Sequence, residues 1–191
     1  DIRLAAISLF ALMALPSIAD EKKDMFRPEN ASVTSQSIAP DARAGGMGDI
    51  GAATDPDVMS QYWNPAKYPF SISRAGVALN YTPWLRQIVS DMDLACLAGY
   101  YRIGDYSAVS ASLRYFSLGE VYTNSGSTND NSMTINPYEM SMDVAYSLML
   151  SEKFSIAAAV RWIYSDLTYD YSDDTSPGSA FAVDLAAYYQ N

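Results

Sequence analysis

Glu139-Met140-Ser141-Met142-Asp143-Val144-Ala145-Tyr146-Ser147-Leu148 decides the fold. Met140, Met142, Val144, Tyr146 and Leu148 fall on one face of an extended chain, and Glu139, Ser141, Asp143, Ala145 and Ser147 fall on the other. Successive strand side chains point to opposite faces, so the stretch reads as a strand with one greasy and one polar side. Two further stretches repeat the pattern. Ile156, Ala158, Val160, Trp162 and Tyr164 oppose Ser155, Ala157, Ala159 and Arg161, and Phe181, Val183, Leu185 and Tyr189 oppose Ala182, Asp184 and Ala186. Each is longer than a globular strand and reaches the ~9–11 residues that cross a bilayer. Tyr138, Trp162, Tyr164, Tyr188 and Tyr189 cluster near the segment ends, where an interfacial aromatic girdle belongs.

Working outward, the same period predicts strands at residues 74–81, 93–103 and 106–118, the second only weakly alternating. The connections between the six strands alternate in length. Gly104-Asp105 and Ser151-Glu152-Lys153 are short, whereas residues 82–91, 119–137 and 166–179 are long. Outer-membrane barrels alternate short periplasmic turns with longer extracellular loops in this way. A secreted β-sandwich or a lipocalin-like barrel is the competing fold. Either would bury faces of Leu, Ile and Val, but the less apolar faces here hold Ser, Ala, Arg, Asp and Glu. The expected fold is therefore all-β, a transmembrane antiparallel β-barrel. Six strands do not close, since an open edge in lipid leaves backbone groups without partners. The chain opens on Asp1 and ends at Asn191, where a further turn should begin, so it reads as a fragment truncated at both ends.

Composition narrows the function. The chain has 191 residues, 49% of them hydrophobic, yet no stretch after residue 20 is long and apolar enough for a spanning helix. Tyrosine is used 15 times, as suits rings that sit half wet and half greasy. A net charge of −10 argues against a nucleic-acid partner, because phosphates need a basic surface. Histidine is absent, which removes the commonest general base and most zinc sites. The single cysteine, Cys96, allows no internal disulfide and reads as a small packing residue. No enzymatic activity, catalytic residue, cofactor or metal site is expected.

At the N-terminus, Arg3 precedes the apolar run Leu4 to Leu15, then Pro16 and Ser17-Ile18-Ala19. A short apolar core ending in small residues is a secretory signal, with cleavage expected after Ala19. Residues 20–40 then read as a polar periplasmic leader. Gly46-Met47-Gly48-Asp49-Ile50-Gly51 spells a dinucleotide-binding string, but neither a buried strand before it nor a helix after it is indicated. Glycines that let backbone pack tightly inside a lumen are the preferred reading. Asp170, Asp173 and Asp174 read as a solvated acidic loop rather than a calcium site, since no glycine-centred spacing accompanies them. Arg102, Arg114 and Arg161 fall on lumen faces, with Glu139, Asp143 and Asp184 available to pair.

Residues 35–53, from Ser35-Gln36-Ser37-Ile38-Ala39-Pro40 through Gly51-Ala52-Ala53, then Gln61-Tyr62-Trp63-Asn64-Pro65-Ala66-Lys67, resemble the N-terminal signature of the PorV (LptO) family. Asn80-Tyr81-Thr82-Pro83-Trp84-Leu85-Arg86 and Ala111-Ser112-Leu113-Arg114-Tyr115-Phe116-Ser117-Leu118-Gly119 resemble it too. The family is the outer-membrane component of the Bacteroidetes type IX secretion system, with PorQ a close relative. The resemblance implies a FadL-like barrel of fourteen strands, six of them here. Residues 41–73 would fold into the lumen as a hatch, and residues 74–191 would be the N-terminal half of the wall. It implies a partner set of secreted cargo with a C-terminal signal domain, type IX translocon and attachment-complex proteins including a sortase-like protease, and outer-membrane lipid or lipopolysaccharide. A FadL-like channel for hydrophobic small molecules is the alternative. The hatch residues to watch are Arg43, Gly45, Gly46, Gly48, Asn64 and Pro65. Arg43 is expected to pair with Asp143 or Asp184, and Asn64 to satisfy backbone groups that a turn leaves open. Trp84, Arg86 and Tyr122, in long loops, are the candidate cargo contacts.

Overall fold

A computed structural model of the chain describes residues 33–85, 91–123, 133–167 and 177–190. Six long strands form one antiparallel sheet: β1 (Ala75–Pro83), β2 (Asp93–Ile103), β3 (Ser107–Ser117), β6 (Tyr138–Ser151), β7 (Phe154–Asp166) and β8 (Gly178–Tyr189). Each strand pairs with its sequence neighbour, in the order β1-β2-β3-β6-β7-β8. Between β3 and β6 a separate two-stranded hairpin, β4 (Val121–Thr123) with β5 (Met133–Ile135), occupies part of a stretch expected to be loop throughout. Three residues per strand are too few to show a period, which is why alternation did not reveal it.

Strands of 9 to 14 residues match the length needed to cross a bilayer. No helix among the described residues is long and apolar enough to do so. Short turns join β2 to β3 and β6 to β7 at one end of the sheet, and long connections lie at the other. Gly104, in the first of these turns, has φ +69°, a conformation that glycine adopts without a Cβ penalty.

The sheet is apolar on the wrong side for a protein dissolved in water. Its outer face carries exposed Val77, Leu79, Leu97, Leu113, Val144, Val160, Phe181 and Val183, with Val77 at 78% and Phe181 at 77% of full exposure. Its inner face is small and polar: Ala98, Ala108, Ser110, Ser112, Ser141, Ala145, Ser147, Ser155 and Ala157 are all buried. A greasy outside and a polar inside fit lipid outside and a lumen within. The fold is all-β, an arc of a transmembrane barrel wall with six antiparallel strands.

What covers the inner face is the segment before β1. It holds a 3-10 turn at Thr34–Ser37, two short helices, α1 (Ala42–Gly46) and α2 (Ser60–Trp63), and a 3-10 helix at Pro65–Phe70. Small wall side chains leave room for this plug. Ala66 packs on Ala157 and Tyr188, Tyr68 on Tyr100 and Ala108, and Met59 on Cys96 and Ala98. Cys96 is free and buried, as a packing residue should be.

Candidate functional site

The plug is built by its own side chains before it meets the wall. Asp41 caps α1, accepting from the Ala44 amide at 2.6 Å, and its second oxygen accepts from the Trp63 indole at 3.0 Å. That fixes the Trp63 ring over Gly51, where an added Cβ would fall 2.3 Å from Trp63 Cγ. Lys67 is wholly buried and donates to the Gly51 carbonyl at 2.6 Å and to Thr54 Oγ1 at 3.2 Å. Burial lowers its pKa from 10.5, with Asp57 opposing the shift. The Tyr68 hydroxyl donates to the Val58 carbonyl at 2.9 Å, and burial raises its pKa. Tyr62 reaches back to the Gln36 carbonyl at 2.8 Å.

Wall and plug then join at three levels. Nearer the long-loop end, the Arg114 guanidinium on β3 donates from Nη2 to the carbonyls of Ser35 and, at 2.7 Å, Ile38, with its charge 5.3 Å from the Tyr62 ring centroid. Deeper in, Gln61 on α2 donates to Asp143 on β6, which also accepts from Ser112 at 2.9 Å. Arg161 on β7 lies 3.6 Å from Asp143 and 3.4 Å from Asp184 on β8, so one arginine stands between two carboxylates in a cluster that, with Ser112, spans four strands. At the short-turn end Asn64 donates to the carbonyls of Ala52 (3.1 Å) and Ala187 (3.0 Å) and accepts from the Ala66 amide. Ser155 donates to the Ala66 carbonyl, and Arg102 to the Ser71 carbonyl at 2.7 Å.

Of the residues singled out from sequence, Asn64 satisfies backbone groups as expected, and Pro65 opens the buried 3-10 helix. Arg43 does not pair with Asp143 or Asp184. It sits half-exposed on α1 and pairs with Asp57 at 2.7 Å, fourteen residues away on the same plug, while Arg161 takes both wall carboxylates. Arg102 and Arg114 likewise donate to plug carbonyls rather than to carboxylates. Gly45, Gly46 and Gly48 have open space where a Cβ would stand, so tight packing is not their role. Gly48 serves the backbone, with φ +80°, and Gly51 is the glycine that close packing requires. Sequence reasoning missed Asp41, Gln61 and Lys67. Asp41 alone had a readable signal, as an acidic residue just before a short helix.

The inner segment includes residues 33–40, which the sequence reading placed in the leader; Ser35 and Pro40 are buried in it. Trp84 is half-buried just beyond β1 at the long-loop end, its amide bonded to the Met92 carbonyl at 2.8 Å. Tyr122 lies in β4, its backbone paired with Thr134, and its side chain is outside the described residues. Arg86, the acidic loop of Asp170, Asp173 and Asp174, and the N-terminal signal also lie outside them.

A family described as type IX secretion system protein PorV matches residues 22–191. No curated protein matches the chain.

Proposed function

The chain belongs to the PorV family of type IX secretion system proteins, and from that premise we propose that it binds the C-terminal signal domain of secreted cargo and passes it to the surface attachment complex. The observation that carries the reading is the combination of a lipid-facing wall with a lumen occupied by a hydrogen-bonded plug. A wall so filled offers its rim, not its bore, to a folded protein. In this reading the short-turn end faces the periplasm and the long-loop end faces outward. The rim from Trp84 to the β4–β5 hairpin then receives the cargo, with Trp84, Arg86 and Tyr122 as contacts. Aromatic and arginine side chains are the residue types that dominate such interfaces. The translocon and the sortase-like protease of the attachment complex are its working partners, in the outer membrane.

Deleting the intact gene tests the role. Signal-domain cargo should accumulate in the periplasm; normal surface display would sink the proposal. Trp84→Ala in the full-length protein should reduce co-purification of a purified signal domain while the barrel stays folded. The channel for hydrophobic solutes is the weaker reading, because the plug is bonded to the inner face of β6, β7 and β8, where such a solute would pass. Impaired uptake of a lipid or aromatic solute in the deletion, with cargo display intact, would favour the channel.

A further inference from the structure

The outer face of the sheet is not uniformly thick. Strand register places Val77, Gly99, Ala111, Val144, Val160 and Val183 in one row straight across it. Four of the six are valines, so the Gly99–Ala111 pair opens a pit in the middle of the greasy surface. Its sides are higher all round. Leu97 and Leu113 stand in the next row toward the long loops, and Tyr101 and Val109 in the next row toward the short turns. Val77 and Val144 stand at the two flanks, and the open depression between them has a volume of about 540 Å³. The two serines beside the floor, Ser110 and Ser112, belong to the buried inner face, and Ser112 donates its hydroxyl to Asp143.

We propose that this pit is a binding site for one acyl chain of a phospholipid. The occupant follows from continuity: the pit lies within the apolar band that already meets the bilayer, and its surface is almost wholly apolar, so it offers dispersion contacts above all. A methylene chain matches that chemistry. Gly99 lies four residues from Ile103 at the short-turn end and six from Asp93 at the long-loop end. The pit therefore opens nearer the periplasmic leaflet, with Tyr101 on the side of the interface, where aromatic rings anchor. The choice of leaflet rests on the orientation proposed above, and the choice of an acyl chain does not.

Ala111→Leu fills the pit, and Ala158→Leu, on the outer face two strands away, enlarges the surface without touching it. Native mass spectrometry of the full-length protein, released from detergent with added phosphatidylethanolamine or with added lipid A, reads the outcome. The parent protein and Ala158→Leu should each retain one phosphatidylethanolamine at activation energies that strip the remainder, and Ala111→Leu should lose that adduct. If Ala111→Leu fails to give a heat-shifted barrel band, Val144→Leu narrows the pit more gently and takes its place. Equal retention in the filled variant and the parent overturns the site. Pit-dependent retention of lipid A instead overturns the phospholipid assignment, and a membrane protein that co-purifies only while the pit is open shows the occupant to be a side chain. None of these outcomes bears on cargo display, so failure here leaves the secretion role standing.

Discussion

Lys67 places an ammonium in a wholly buried position against one carbonyl and one hydroxyl, without a carboxylate at ion-pair distance among the described residues. Its lowered pKa means that the docked plug gives up this proton more readily than the undocked one. Between that lowered value and the ordinary 10.5, the undocked form binds more protons, so docking strengthens as pH rises. Protease protection of residues 33–73 in the full-length protein should increase as pH rises through the range in which docked Lys67 gives up its proton. Lys67→Met should flatten the rise, and an identical slope in both would refute the account. Arg43 and Asn64 should behave differently from each other. Arg43 and Asp57 form a half-exposed pair, of a kind worth ~0–1 kcal/mol, so Arg43→Ala should scarcely change plug protection. Asn64→Ala strands two carbonyls and an amide in a largely dry place, at ~1–3 kcal/mol for each group left unsatisfied. Cleavage within residues 33–73 should appear in Asn64→Ala only, with the heat-modifiable barrel band unchanged in both variants.

At the scale of elements, the strands were legible and the plug contacts were not, for one physical reason. A wall strand must alternate along its whole length, because lipid and lumen sort every side chain, and the pattern therefore survives in the sequence. β2 was placed at Asp93–Ile103, as found, even though its alternation is blurred by Gly99 and Ala98. β1 ran two residues past its expected end, through Pro83, which stands at the last position of the strand and so leaves the ladder before it intact. The plug is held instead by side chains donating to backbone carbonyls, which any residue offers. Nothing in Ser35, Ile38 or Ser71 announces that Arg114 or Arg102 will reach it. The outermost and innermost of these attachments also predict separable behaviour. Arg114→Ala should release the stretch around residues 33–38 alone, since Asn64, Ser155 and Arg102 hold the 3-10 helix independently. Mass analysis of periplasmic-side proteolysis should then find new cuts before residue 41 and none within residues 60–70. Simultaneous exposure of both stretches would show that the plug undocks as one unit.

The whole molecule is a sheet that inverts the usual sorting of side chains, and that inversion can be tested by placing one charge on each face. Val160 stands in the central row of the outer face, more than half exposed. In lipid that exposure is to hydrocarbon, and an arginine at such depth costs ~2–4 kcal/mol. Ala180, on β8, belongs to the inner face that already carries Asp184 and Arg161, so a charge there meets polar neighbours rather than acyl chains. Val160→Arg should therefore lower the urea midpoint of the full-length protein refolded into phospholipid vesicles, and Ala180→Arg should lower it much less. The same two variants in a soluble β-sandwich would rank the other way, because there an exposed valine is already in water and its replacement by arginine is nearly free. The ordering of the two midpoints thus decides between lipid and water as the solvent of the outer face, whatever the cargo turns out to be.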